Sequence, residues 1–156
     1  MPDVDLTEAE IQHATYIEAH PSEVYEAFTD PDRLNEWFTT GATGTPATGE
    51  TMHFAWEAWG PDEVTAADEV TVIEASPPDT FVFQWYAHVR WGPTTVELSF
   101  EGETGGTVVR VRESGYDNAQ DALGVLIDCA TGWGEALTLL KLYVERGVST
   151  KTLRGE

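Results

Sequence analysis

The sequence predicts an α+β domain in which a curved antiparallel sheet closes around one long helix. From about residue 50, apolar residues recur at every second position through five segments separated by turn residues. From Asp121 to Gly147 they recur instead at alternating spacings of three and four. The first period belongs to strands with one buried face, the second to an amphipathic helix. One strand-like and two short helical segments come first, so the order is strand, two helices, about five strands, long helix. With 156 residues and 41% apolar content, the chain is expected to form a single domain over 1–156, with its core at about 11–147.

The first strand is read over Ile11 to Glu18, where Thr15, Tyr16 and Ile17 are β-branched or aromatic, and His20-Pro21 stops it. Pro21 suits a first helical position and Glu23 the first turn, giving a short helix with Val24, Ala27 and Phe28 on one face. Asp30-Pro31 repeats the signal as N-cap and first turn, with Leu34, Trp37 and Phe38 on one side. Thr39 to Gly49 is rich in glycine, threonine and proline and reads as a loop. Inward strand positions are then Met52, Phe54 and Trp56; Val70 and Val72; Phe81, Phe83 and Trp85; Val96, Leu98 and Phe100; Val109 and Val111. Gly60-Pro61-Asp62, Pro77-Pro78-Asp79, Gly92-Pro93 and Gly105-Gly106 mark short turns, hence an antiparallel meander. The closing helix carries Leu123, Leu126, Ala130, Trp133, Leu137, Leu140 and Val144 on one stripe, with Arg146 and Gly147 as its stop. At 1.5 Å per residue it would span roughly 40 Å.

Charge narrows the function classes. Acidic residues number 28 against 8 basic ones, for a net charge of −20. They are spread along the whole chain, which points to adaptation to molar salt rather than to one docking patch. Nucleic acid is excluded as a partner, since phosphate contacts need a basic stripe. The acidic N-terminus lacks the layout of a signal peptide, and no uninterrupted apolar run approaches the eighteen or so residues of a membrane span. The expected location is therefore cytoplasmic, with no membrane span. Cys129 is the single cysteine, so no internal disulfide can form.

The candidate site is a cavity between sheet and helix. Phe54, Trp56, Phe81, Phe83, Trp85 and Phe100 should face Leu126, Trp133, Leu137 and Leu140 of the helix, with Trp37 and Phe38 at the mouth. Taken singly, each is more simply a core residue. Three tryptophans converging on one helix are hard to interdigitate without leaving space, and this favours a cavity walled by these residues. Gly132 and Gly134 cost about 1 kcal/mol each inside a helix, so they imply close approach of another element or room for a ligand. Polar candidates are few. His53, Tyr86 and His88 fall on the faces opposite the inward residues, Cys129 reads as a small buried filler, and Arg110 and Arg112 read as outside. Asp128 and Glu135 read as solvated. The four histidines lack metal-ligand spacing, and there is no nucleophile elbow, phosphate-cradling loop or dinucleotide fingerprint. No catalytic residue, metal or cofactor is assigned.

Ala19-His20-Pro21-Ser22-Glu23-Val24-Tyr25-Glu26-Ala27-Phe28-Thr29-Asp30-Pro31, followed by Leu34 and Trp37, resembles the opening signature of a START-like (SRPBCC) family. That family is named after the activator of the heat-shock-protein ATPase and its homologues. Glu113-Ser114-Gly115-Tyr116, then Gly132-Trp133 with Leu137, Leu140 and Tyr143, resembles its ending. The resemblance implies a helix-grip fold: a curved antiparallel sheet wrapped around a long C-terminal helix, with two short helices after the first strand. It also implies a small apolar, lipid-like ligand between sheet and helix. The alternatives it carries are a cyclase- or hydrolase-type enzyme using the same cavity and a chaperone-linked or regulatory module with a protein partner. The eukaryotic chaperone activators rely on an additional domain for which this chain has no room.

Overall fold

The computed structural model of the chain describes residues 9–86, 93–116 and 122–153. Its elements are β1 (Ile11–Ile17), α1 (Pro21–Thr29), α2 (Pro31–Trp37), β2 (Thr43–Gly44), β3 (Thr51–Trp59), β4 (Val64–Ser76), β5 (Thr80–Trp85), β6 (Thr94–Glu103), β7 (Gly106–Ser114), α3 (Ala122–Arg146) and α4 (Thr150–Leu153). The seven strands form one antiparallel sheet in the order β1-β7-β6-β5-β4-β3-β2. This is the helix-grip arrangement. Two elements go beyond the sequence reading. The two-residue β2 pairs with β3 from within the expected loop, and α4 follows the glycine stop, tied to α2 by the Thr150 hydroxyl donating to the Glu36 carbonyl (3.0 Å).

Local chemistry sets the helix starts as expected. Asp30 Oδ1 accepts the Asp32 N–H (3.1 Å) ahead of Pro31, and His20 Nδ1 accepts the Ser22 N–H (3.2 Å) ahead of Pro21. Each cap satisfies one of the donors that a helix leaves unpaired at its N-terminus. The strand alternation also holds: Met52, Phe54, Val70, Val72, Phe81, Phe83, Val96, Leu98, Phe100, Val109 and Val111 are all buried. On the outer face, Arg112 pairs with Glu10 and Glu97 (3.4 and 3.0 Å).

Two β-bulges curve the sheet. On β4, Val72 faces Phe83 while Glu74 faces Val82, so β4 carries one extra residue. On β3, Trp56 faces Ala66 and Trp59 faces Val64, three steps against two. Ala58, within this bulge, sits at φ +50°, the left-handed region that alanine rarely adopts. The extra residue resets the alternation. Trp59, which strict period two would send outward, comes to the same side as Trp56.

The long helix is anchored unevenly. Trp133, Ala136, Leu137 and Leu140 are buried, whereas Leu123 and Ala130 of the same stripe are exposed and Leu126 is only half-buried. The apolar stripe is therefore buried at Trp133, Leu137 and Leu140 only. Beyond Leu140, the Lys141 ammonium donates to the Tyr16 carbonyl and pairs with Glu145 (2.7 Å), whose carboxylate also accepts the Glu18 N–H (2.9 Å). These contacts hold the helix end against β1. Gly147, at φ +68°, closes it by donating its N–H to the Tyr143 carbonyl (2.9 Å). Leu123–Arg146, with mean hydropathy 1.3, is long and apolar enough to cross a membrane by length and composition. A mean tolerates charges such as Asp128 and Glu135 that break an apolar run, so the absence of an uninterrupted apolar run of that length stands. In this fold the segment takes the place of a core helix, gripped by the sheet.

A candidate ligand cavity between sheet and helix

Where α3 is not packed into the core, a cavity of about 490 Å³ opens between it and the sheet. Its walls are Phe38 at the end of α2, Trp56 and Trp59 from β3, Val64 from β4 and Trp85 from β5. On the helix side they are Asp128, Cys129, Gly132, Trp133, Glu135, Ala136 and Leu139. The volume is that of a small-molecule pocket. Its shape follows from two local features. The β3 bulge brings a second tryptophan to the inner side, and Gly132 contributes no side chain. A Cβ added at Gly132 or at Gly134 would meet nothing within 4 Å, so of the two readings of these glycines, close approach is ruled out. A further hollow of about 450 Å³ shares Trp59, Glu135 and Leu139 with the mouth. A depression of about 540 Å³ on the outer sheet face, among Gln12, His13, Glu97, Ser99, Arg110 and Arg112, lacks aromatic walls.

Of the residues predicted to wall a cavity, the structure brings four together there: Phe38, Trp56, Trp85 and Trp133. Their ring centroids lie 5.4 Å (Phe38–Trp56), 6.4 Å (Trp56–Trp85) and 5.7 Å (Trp85–Trp133) apart. Phe54, Phe81, Phe83, Phe100, Leu137 and Leu140 are buried in the core behind this wall, and Leu126 packs against that core from α3. Trp37 is not at the mouth. The tight break at Asp30 turns α2 back under α1, where Trp37 is fully buried, stacks on Phe38 (5.0 Å) and donates its indole N–H to the Ala27 carbonyl (2.8 Å). Neither His53, which is exposed, nor Tyr86, at 45% exposure, lines the cavity. His88 lies outside the described residues.

The residue that organises the wall is one the sequence reading passed over. Glu113 on β7 is fully buried. Its Oε1 accepts the Trp133 indole N–H (2.8 Å), and its Oε2 accepts both the Trp85 indole N–H (2.8 Å) and the Thr94 hydroxyl (2.5 Å). One carboxyl thus ties a strand tryptophan to a helix tryptophan. A carboxylate is an acceptor with room for all three donors, which removes most of the cost of placing it inside. The signal was present in the sequence: continuing the alternation of Val109 and Val111 places Glu113 on the inner face.

Tyr116 and Cys129 stand beside it. The Tyr116 hydroxyl is buried and completes no hydrogen bond among the described residues. Burial first, then the neighbouring Glu113 charge, pushes it above the ordinary phenol value. Burial above all likewise raises the Cys129 thiol. A raised thiol is a poor nucleophile, but Cys129 is only half-buried and lines the cavity, where a small buried filler was expected. No three His, Cys, Asp or Glu side chains among the described residues are grouped to hold a metal ion. The site can therefore enclose an apolar body, and its wall is fixed by hydrogen bonds made entirely within the protein.

The family described as Activator of Hsp90 ATPase homolog 1-like protein matches residues 18–145. Among solved structures, the Aha1 dimer from Colwellia psychrerythraea is 26% identical at a TM-score of 0.74, covering 89% of this chain and 98% of that one. The AHSA1-like protein from Aeromonas hydrophila is 22% identical at 0.72, covering 88% and 93%. DynU16, a protein of the dynemicin biosynthetic locus, is 22% identical at 0.75, covering 89% of this chain but 48% of its own, so the present chain spans about half its length. At these last two identities the likeness is one of fold. No curated protein matches the sequence. Since the family match covers most of the chain, the chain belongs to that family.

Proposed function

We propose that this member of the Activator of Hsp90 ATPase homolog 1-like family binds a small apolar molecule between its sheet and α3. The observation that carries this reading is the state of the tryptophans in the wall. Trp85 and Trp133 give their indole N–H groups to Glu113, and Trp56 gives its own to the Phe38 carbonyl (2.8 Å). With these polar atoms satisfied by the protein, the three rings present only apolar surface to a ligand. Binding is favoured over catalysis because His53 and Tyr86 do not line the cavity and burial raises the Cys129 thiol above its ordinary value. The even spread of acids supports a cytoplasmic protein working in molar salt, and its unfolding temperature should rise with potassium chloride. A flat response would remove that part of the reading.

The deciding experiment is thermal unfolding in molar potassium chloride against fatty acids, sterols, isoprenoids and aromatic metabolites or amines. A ligand present at a hundred times its dissociation constant adds about 2.7 kcal/mol if it binds only the folded state. An upward shift with one chemical class is the expected result. A well-folded protein that none of them shifts would overturn the proposal.

A further inference from the structure

We infer that the molecule taken by this cavity is a cation, an amine or quaternary ammonium carried on an apolar body. This rests on the binding reading above and names its ligand class. The faces of indole and phenyl rings are electron-rich and attract a cation within about 6 Å. Here such rings come from the end of α2, β3, β5 and α3, and meet at mixed angles: 80° between Phe38 and Trp56, 59° between Trp56 and Trp85, 35° between Trp85 and Trp133, with Phe38 and Trp133 nearly parallel at 29°. They therefore border the space from several sides. The Glu113 carboxyl, accepting the N–H of both Trp85 and Trp133, leaves those rings richer in electrons. Among the described residues, Asp128 and Glu135 are the only charged ones in the lining, both are acids, and no basic side chain lines the cavity. In a chain with 28 acids such a rim alone would say little. The aromatic wall behind it, Phe38, Trp56, Trp85 and Trp133, is the independent observation. An anion, including a fatty acid, would meet repulsion from rim and wall together. A neutral ligand would gain only apolar contact.

The test uses the full chain and three probes of similar size: benzyltrimethylammonium, its neutral isostere neopentylbenzene, in which carbon replaces nitrogen, and the anion phenylacetate. Binding is read by tryptophan fluorescence and NMR shifts in about 1 M potassium chloride, where charges more than roughly 3 Å away are screened and a surviving preference must come from contact. The cation should bind about tenfold tighter than the isostere, as expected for a desolvated cation on aromatic faces, and phenylacetate more weakly than either. Trp56→Leu, checked for an unchanged circular dichroism spectrum, removes apolar wall as well as a ring face, so it should weaken both probes but the cation by the larger factor, reducing the cation's advantage to under about threefold. Glu135→Gln at the rim, a substitution that does not touch the core, should lower affinity for the cation alone when the titration is repeated at about 0.1 M salt, where the screening length is roughly 10 Å. Neopentylbenzene binding as tightly as the cation would overturn the ligand class while supporting the cavity. Binding of no probe would overturn the cavity reading itself.

Discussion

The two halves of α3 carry the same kind of apolar stripe and put it to different uses. From Trp133 onward, the helix buries Trp133, Ala136, Leu137 and Leu140, and Lys141 and Glu145 fasten it to β1. From Leu123 to Gly132, no described residue is fully buried; Leu123 is 38% and Ile127 54% exposed. The cavity lies against the stretch where the helix passes from one regime to the other, with Trp133 belonging to both. A stripe at helical period says which face is apolar. It does not say whether the neighbour on that face is protein, an open cavity or solvent.

The sharpest break in this comparison should come from paired truncations. Leu137→Ala, in the closely packed half, should cost about 3 kcal/mol, the usual price of a buried leucine that its surroundings cannot replace. Leu126→Ala, in the open half, should cost less than about 1 kcal/mol because much of its surface is already in water. Equal losses in denaturant unfolding would mean that the two halves are packed alike. Next in size is Glu113→Ala, which leaves two indole N–H groups and a buried hydroxyl without their acceptor. We expect a loss of about 2–3 kcal/mol together with weaker ligand binding, because Trp85 and Trp133 lose their common anchor. Stability within experimental error of the unmodified protein would show that the carboxyl does not hold the wall.

A smaller effect of opposite sign should come from the helix glycines. Gly132→Ala and Gly134→Ala each meet open space and should each stabilise α3 by about 1 kcal/mol. Only Gly132 lines the cavity, so only Gly132→Ala should also lower ligand affinity. Matching effects of both substitutions on binding would displace the site from this part of the helix. The mildest probe is Cys129. Because burial raises its thiol, the thiolate fraction at any given pH is smaller than for a free cysteine. Its alkylation rate should still be climbing at pH values where an exposed thiol has levelled off, and bound ligand should slow it further. A plateau at the ordinary thiol value would show that the open half leaves Cys129 in water.

The order of elements, the inward faces of five strands, both proline-led helix starts and the glycine stop of α3 were all legible, since each depends on period or on a cap made with near neighbours. Four of the twelve expected wall residues stand at the cavity, and the eight others are core or pack on it, because period two reports the side of the sheet and not the distance from the helix. Trp59 was invisible to the pattern: a one-residue bulge at a left-handed Ala58 reverses its face, and no composition signal announces it. Glu113 was legible and passed over, since an acid in register with Val109 and Val111 looks like the end of a strand until the two tryptophans that bind it are known.

Taken alone, then, the sequence determined the order of strands and helices, a curved sheet closed by one long helix, and the apolar character of what lies between them, because backbone period and hydrophobic pattern are local properties of the chain. Only the tertiary structure decided which aromatic rings are packed and which are left to face a cavity. That choice depends on how far a curved sheet follows the helix, on a bulge in β3 and on one carboxyl reached from β5, β6 and α3 at once. Such contacts join residues far apart in the chain, and no local pattern records them.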